Sequence, residues 1–298
     1  MRTDIYQEVT DKIVAQLETA NLGEWKQPWI QNRPQNIQGR HYTGINWFLL
    51  GLASADYPSQ TYATYKAWQG RGAQVSRGQR GTHIIFYKEY RGAPGTTDSA
   101  SAVGDDGKVS RRVARGYTVF AAEQCEGEAA VEIATASPQN PNVAESLASV
   151  DKLTTDYSAG ESITIKTEGD RAYYVPKTDT VVLPPMSAFA STEAYYSTLL
   201  HEITHSTGTA SRCNRDKANN RFGTEAYAYE ELVAEIGSAM LCATLGVEDS
   251  PREDHAQYVA NWLQVIKGNK RAVFNAAAAA QRAANYVLKY RVEEGSPQ

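Results

Sequence analysis

The chain has 298 residues, 42% apolar and 21% charged, with a formal net charge of -4. That length suffices for one large core or two. The absence of a long apolar run argues against a membrane partner, and the acidic opening MRTDIYQEVTDKIVAQLE does not read as an export signal, so the expectation is a folded cytoplasmic protein.

Charge is unevenly spread. Residues 1–115 hold 15 Lys+Arg against 10 Asp+Glu, and the remaining residues hold 15 against 24. The contrast suggests two parts with different partners. Cys125, Cys213 and Cys242 are odd in number and far apart, as thiols of a reducing compartment would be.

In chain order, Ile5, Val9, Ile13 and Leu17 recur at helical spacing, with Thr3 or Asp4 as cap. A polar stretch with Trp25 and Trp29 follows. TGINWFLLGLA predicts a buried helix after Thr43, and TYATYKAWQGRG a shorter amphipathic one ended by Gly70 and Gly72. THIIFYKEY at 82–90 is the clearest strand of this half, and Tyr117 to Ala121 its returning partner. Between them, the Gly-, Ser- and Asp-rich residues 91–110 read as a flexible insertion. ATASPQNPNVAES reads as a linker. The division is therefore 1–133, a linker at 134–145, and 146–298. Beyond it, SITIKTEG and RAYYVPKTDTVVLP predict short strands. Helices follow over 192–205, 225–245 (stopped by Gly246), from Pro251, and over 274–290. A small sheet followed by several helices is an α+β pattern.

His201 and His205 stand four residues apart in HEITH. On a helix both imidazoles then share one face, one turn apart, and can hold one metal ion. Glu202 cannot share that direction as a close third ligand. It suits the role of catalytic general base, accepting a proton from the metal's water. The third ligand is expected from FGTEAYAYEELVAEIGSAML. Glu231 is the first choice, with Glu235 and Glu230 as alternatives, and Glu235 then orients a ligand histidine from behind. Glu225 and Glu230 otherwise fit a solvated acidic face. Two His and one Glu favour one Zn2+ per chain, with Mn2+ as the alternative. An open fourth position suits amide hydrolysis better than a structural site. Tyr173, Tyr174, Tyr195, Tyr196 and Tyr227 are candidate donors to an oxyanion. His255 reads as a surface residue.

Residues 25–90 interleave aromatic and basic side chains. Basic groups track a nucleic-acid backbone while aromatic rings stack under unpaired bases. The candidate contacts are Arg40, Tyr42, Tyr65, Lys66, Arg71, Arg77, Arg80 and Lys88. GRGAQVSRGQRGTHIIFYK is the strongest local case, because its glycines let phosphates approach the backbone. Trp47 and Phe48 read equally well as core.

Taken together, IYQEVTDKIVAQLE, WKQPW, GRHYTGIN, TYKAWQGRGAQVSRGQRG and YTVFAAEQC resemble the N-terminal module of the ArdC antirestriction family, encoded on conjugative plasmids. YYSTLLHEITHSTG, SRCNRD and RFGTEAYAYEELVAEIGSAML resemble its C-terminal half. The resemblance implies a mixed helix and small-sheet module that binds single-stranded DNA, followed by a compact zincin-like metallopeptidase domain. It implies protection of incoming plasmid DNA from host restriction. The spacing of the third ligand in similar compact zincins again points to Glu231. The alternatives are a catalytically idle zincin domain in a DNA-binding protein, and a specific metalloprotease with an unidentified protein substrate and no DNA role.

Overall fold

The computed structural model describes residues 4–19, 33–53, 57–92, 101–103, 109–136, 143–215, 224–247 and 255–291. The Asp4 carboxylate accepts from the Tyr6 backbone N–H at 3.1 Å at the start of α1 (Ile5–Thr19), whose Val9 and Ile13 are buried. After β1 (Gln35–Asn36), α2 (Gly44–Ala53) buries almost every residue, as its mostly apolar sequence requires, and its one polar side chain, Asn46, exchanges hydrogen bonds with the Ile85 backbone at 2.7 Å.

The helix expected over 61–72 is instead divided into β2 (Thr61–Thr64) and α3 (Tyr65–Gln69). Thr-Tyr-Ala-Thr pairs with strands on both sides, and β-branched and aromatic residues suit such a buried strand. The Thr64 hydroxyl then accepts from the Ala67 N–H at 3.3 Å and starts the helix. There follow β3 (Gln74–Val75), β4 (Thr82–Gly92), β5 (Ser101–Val103), β6 (Val109–Ala121) and β7 (Cys125–Glu126). The return strand begins at Val109, eight residues before the expected Tyr117, and pairs with β4 from Gly92↔Val109 to Thr82↔Val119. Its other edge carries β2 at one end and β5 at the other. Residues 93–100 and 104–108 of the expected insertion lie outside the described residues.

Two helices occupy sequence not expected to be helical: α4 (Glu128–Thr135) and α5 (Val143–Glu161). Val150, Leu153 and Tyr157 bury one face of α5. Next, β8 (Thr164–Thr167) and β9 (Tyr173–Val175) flank β10 (Thr180–Leu183), parallel to the first and antiparallel to the second. Central β10 is wholly buried. Helix α6 (Thr192–Ser206) starts where the Ser191 hydroxyl accepts from the Ala194 N–H at 3.1 Å. Helix α7 (Glu225–Leu245) starts at a Thr224 cap and stops at Gly246, in the left-handed conformation at φ 71°. Helices α8 (His255–Gly268) and α9 (Ala272–Leu288) complete the described fold.

One hydrophobic core joins the two halves of the chain. Val9 and Ile13 of α1, Phe48 and Leu52 of α2, and Ile85 of β4 belong to the same cluster as Leu200, Ile236, Trp262 and Val273. Polar contacts reinforce it: the Gly44 N–H donates to Gln281 at 2.9 Å and the Thr10 hydroxyl to the Lys270 carbonyl at 2.9 Å. The three cysteines are free thiols, two of them buried. Among the described residues, no helix is long and apolar enough to cross a membrane.

Helices α6 and α7 approach closely at Gly237. A Cβ there would lie 2.6 Å from the Cγ2 of Thr204, which is fully buried. Gly237→Ala would gain about 1 kcal/mol of helix propensity, but overpacking costs about 1–3 kcal/mol. Because the obstructing methyl sits on a β-branched side chain, the cost should prevail. Net destabilisation of about 1–2 kcal/mol is expected by urea unfolding, with recovery in the Gly237→Ala/Thr204→Ser double variant. An unchanged midpoint in the single variant would refute the close approach.

Candidate metal centre

Helix α6 supplies His201 and His205, and α7 brings three glutamates against them. The His201 and His205 Nε2 atoms lie 3.0 Å apart. The Glu231 carboxylate presents Oε2 to His201 Nε2 at 3.6 Å and Oε1 to His205 Nε2 at 3.5 Å. Ligands about 2.1 Å from one ion at tetrahedral angles stand about 3.4 Å from each other. The two nitrogens stand 3.0 Å apart, each faces a different oxygen of the one carboxylate, and the three donors lie within 4.8 Å of one another, a donor set that suits a borderline divalent ion. These donors therefore fit one metal ion. Among the described residues this is the group of three or more His, Cys, Asp or Glu whose donor atoms converge within 4.8 Å.

The other ring nitrogens face carboxylates as well. His201 Nδ1 is 3.5 Å from Glu235 Oε1, and His205 Nδ1 is 3.5 Å from Glu230 Oε1. Such partners fix the ring orientation and make the ligand nitrogen more basic. Glu235 faces the His201 nitrogen that Glu231 does not. Glu230 does not lie on a solvated face. Its carboxylate is gripped at both oxygens by Arg215, whose Nη2 donates to Oε1 at 2.8 Å and whose Nε donates to Oε2 at 3.2 Å. Arg215 also donates to the Thr207 hydroxyl at 2.7 Å and the Thr204 carbonyl at 2.9 Å. The end of α6, the loop after it and α7 are thereby held in one arrangement.

The electrostatics favour positive charge at this point. Burial alone would push His205 down, but Glu231, Glu230 and Glu202 together push its pKa up to about 10. Burial would raise Glu231, yet His205 and His201 hold it far below the usual carboxylate range. Glu202 is buried on α6 beside His201 and contributes to the field at His205. Of the tyrosines considered as oxyanion donors, Tyr174 donates to Asp179 at 2.6 Å and Tyr196 to Asp151 at 2.7 Å. Both hydroxyls are thus committed elsewhere. Tyr195 packs edge-on against Phe189 and Tyr196, and Tyr173 is exposed. His255 opens α8.

The N-terminal half separates core aromatics from surface ones. Trp47, Tyr62 and Trp68 are buried, and Tyr42 packs partly buried against Leu50, Tyr62 and Ile84, its pKa pushed up to about 12 by burial. Tyr65, Phe86, Tyr87 and Tyr117 remain exposed. Arg40, Lys66, Arg71, Arg77 and Arg80 are exposed as well. Phe86 meets Tyr117 edge-on at 5.5 Å, and exposed Arg115 stands opposite Phe86 across the β4–β6 pair. Lys88 lies in β4, but its side chain, like Trp25 and Trp29, is outside the described residues.

The N-terminal half matches the family model for the N-terminal domain of the anti-restriction factor ArdC over residues 3–120. Residues 152–279 match the zincin-like metallopeptidase model. The metal-free crystal structure of the antirestriction protein ArdC from plasmid R388 is 33% identical, with a TM-score of 0.74, over 97% of this chain and 98% of that one. The chain belongs to the ArdC antirestriction family. The Mn(II)-bound structure of the R388 protein matches with a TM-score of 0.73 and 32% identity over 98% of this chain and all of its own length. The uncharacterised protein y4eC of Sinorhizobium fredii is 36% identical over 96% of this chain and 92% of its own. The DNA primase TraC of Escherichia coli is 32% identical over 99% of this chain, which spans 28% of the primase.

In this ArdC-family chain, the sequence reading missed two supporting arginines of SRCNRD. Arg215 acts on Glu230 as described. Arg212 reaches the opposite way, to Glu161 at 2.9 Å, Asp179 at 2.9 Å and the Ser206 carbonyl at 2.7 Å. Their signal was two arginines just after a metal motif, too generic to name partners lying far off in sequence.

Proposed function

We propose that this protein protects incoming plasmid DNA from host restriction by binding it as a single strand, and that it carries a zinc-dependent, peptidase-like site. The observation that carries the second part is the convergence of the His201, His205 and Glu231 donor atoms within 4.8 Å of one another. These three would hold one Zn2+, and the Mn(II)-bound R388 relative makes Mn2+ the natural alternative. A bound divalent ion supplies Lewis acidity and an acidified water ligand. Glu202, buried beside His201, would serve as the general base, taking up a proton at its carboxylate and returning it to a leaving amine. Glu235 and Glu230 hold the two imidazoles in orientation. Burial of the cluster keeps bulk water away from the charges.

The N-terminal half supports the first part. Exposed Tyr65, Phe86 and Tyr117 offer stacking faces, and Arg40, Lys66, Arg71, Arg77 and Arg80 offer phosphate contacts. We divide the chain functionally into a DNA-binding domain at 1–133, a linker at 134–145 and a zincin-like domain at 146–298, acting in the cytoplasm.

The test is Glu202→Gln, compared with wild type for metal content, single-strand affinity and plasmid protection in a restricting host. The variant should keep the metal and the DNA, and should lose protection by about tenfold or more, since a general base typically contributes 100-fold or more to its reaction. Full protection with both bindings intact would leave DNA coverage as the protective activity and the metal domain idle.

A further inference from the structure

A surface pocket of about 530 Å³, open to solvent, lies between α3, β3, β6 and β7, and no residue of α6 or α7 lines it. Its size falls within the range that takes a small organic ligand. Tyr65 and Phe120 provide aromatic wall, Gln74, Gln79 and Glu126 provide polar groups, and Arg77 stands at the edge. The Tyr65 ring is held in place because its hydroxyl accepts from the Gln74 amide. Phe120 is fixed through its backbone, whose carbonyl accepts from the Trp68 indole at 3.0 Å. The β3–β7 pairing sets Glu126 directly opposite Gln74. Gln79 uses its carbonyl oxygen to accept from Gln124 at 3.1 Å, which leaves its amide hydrogens as the donors it can offer.

The surroundings suit a phosphate chain. Gly72 and Gly78 bracket this segment in left-handed turns, at φ 76° and 85°, with no atom within 4 Å of where a Cβ would stand. Backbone at those turns is open to close approach, and exposed Arg71, Arg77 and Arg80 surround it.

Resting on the reading of the N-terminal half as a single-strand binder, we propose that this pocket captures one unpaired base of the strand and prefers a base with an exocyclic amine. The aromatic wall stacks on any base, because every base has a π face. The Glu126 carboxylate accepts from an amine, as carboxylates do from the cytosine amino group, and repels the carbonyl that thymine presents in its place. Stacking on Tyr65 needs a base whose face is free, so the pocket favours unpaired bases over those stacked within a duplex.

The experiment measures binding of labelled oligo(dC) and oligo(dT) of about 12 nucleotides, within the usual footprint of such modules, across a salt series. Wild type should bind oligo(dC) about fivefold or more tighter, the size of one modest base contact. Tyr65→Ala should weaken both by about fivefold or more at unchanged salt slope, because it removes stacking and no phosphate contact. Tyr65→Phe should restore binding, and Glu126→Gln should erase the dC preference. Melting temperature controls for folding, and exposed Tyr65 and Glu126 can be changed without opening a core. If wild type binds single strands and Tyr65→Ala and Glu126→Gln bind identically to it, the pocket proposal is overturned while the DNA reading stands. If wild type binds no single strand at moderate salt, both fall.

Discussion

Replacing His201 and His205 together by Gln is expected to lower Zn2+ affinity by about 1000-fold or more, because two of three protein ligands are removed. Single-strand affinity should not change, since the basic and aromatic surface lies on the other half of the chain. Gln is the informative replacement. Ala would leave Glu230, Glu231 and Glu235 facing a void, and an unpaired buried charge destabilises a fold strongly, which would confuse loss of metal with loss of structure. Elemental analysis after dialysis should give one metal per wild-type chain and almost none for the variant. Melting supplies an independent readout: ligand at 100 times its Kd stabilises a native state by about 2.7 kcal/mol. Added Zn2+ should therefore raise the wild-type midpoint and leave the variant's in place. Wild-type metal content in the variant would remove these histidines from the metal site.

The second large effect concerns Arg212. Its side chain is 2% exposed and ties the end of α5 and the turn before β10 to the end of α6. Beyond Glu161, Asp179 and Ser206, Glu161 itself accepts from Tyr286 at 2.7 Å, from Lys289 at 3.1 Å and from Tyr290, all near the end of α9. Arg212→Leu takes the guanidinium from two carboxylates; Glu161 keeps its other donors and Asp179 is 32% exposed, so the expected cost is about 3 kcal/mol, the low end for breaking a buried pair from one side. The pH dependence follows from Glu161. Burial would raise its pKa, but hydrogen bonds from Tyr290, Tyr286, Arg212 and Lys289 hold it at about 2, against an ordinary value of 4.5. A depressed carboxylate stabilises the fold fully above its unfolded pKa, and this contribution is lost as pH falls from 4.5 through about 2. Without Arg212 that pKa moves up towards its ordinary value while Tyr290, Tyr286 and Lys289 still lower it, so the variant loses less stability than wild type as pH falls towards 4. Urea unfolding should therefore show a larger deficit for Arg212→Leu at pH 7 than at pH 4. An equal deficit at both would assign the loss to packing rather than charge.

What could be read directly from the sequence was whatever local spacing determines. HEITH sets both imidazoles on one helix face whatever surrounds it. EELVAE puts Glu231 and Glu235 one turn apart, and Ser191 and Gly246 mark helix ends by their own chemistry. Elements decided by distant partners were harder. Thr61–Thr64 becomes a strand because β1 and β6 flank it, which the segment itself does not record. Helix α5 was hidden by the Pro and Asn residues just before it, although Val150, Leu153 and Tyr157 carry helical spacing. Glu230 passed for a surface acid because Arg215, its partner, lies 15 residues away in sequence. Tyr42 matched the aromatic-basic pattern of a DNA surface, yet it packs with Tyr62 and Ile84.

The cluster that gathers Val9, Phe48 and Ile85 with Ile236, Trp262 and Val273 bears on inheritance. A genetic exchange that carried off either half alone would strip apolar side chains of their cover and yield a sticky, poorly folding product. Recombination should then pass the two halves on as a single cassette. The alignment with the Escherichia coli primase has that form: one block covering 99% of this chain occupies 28% of a much longer protein.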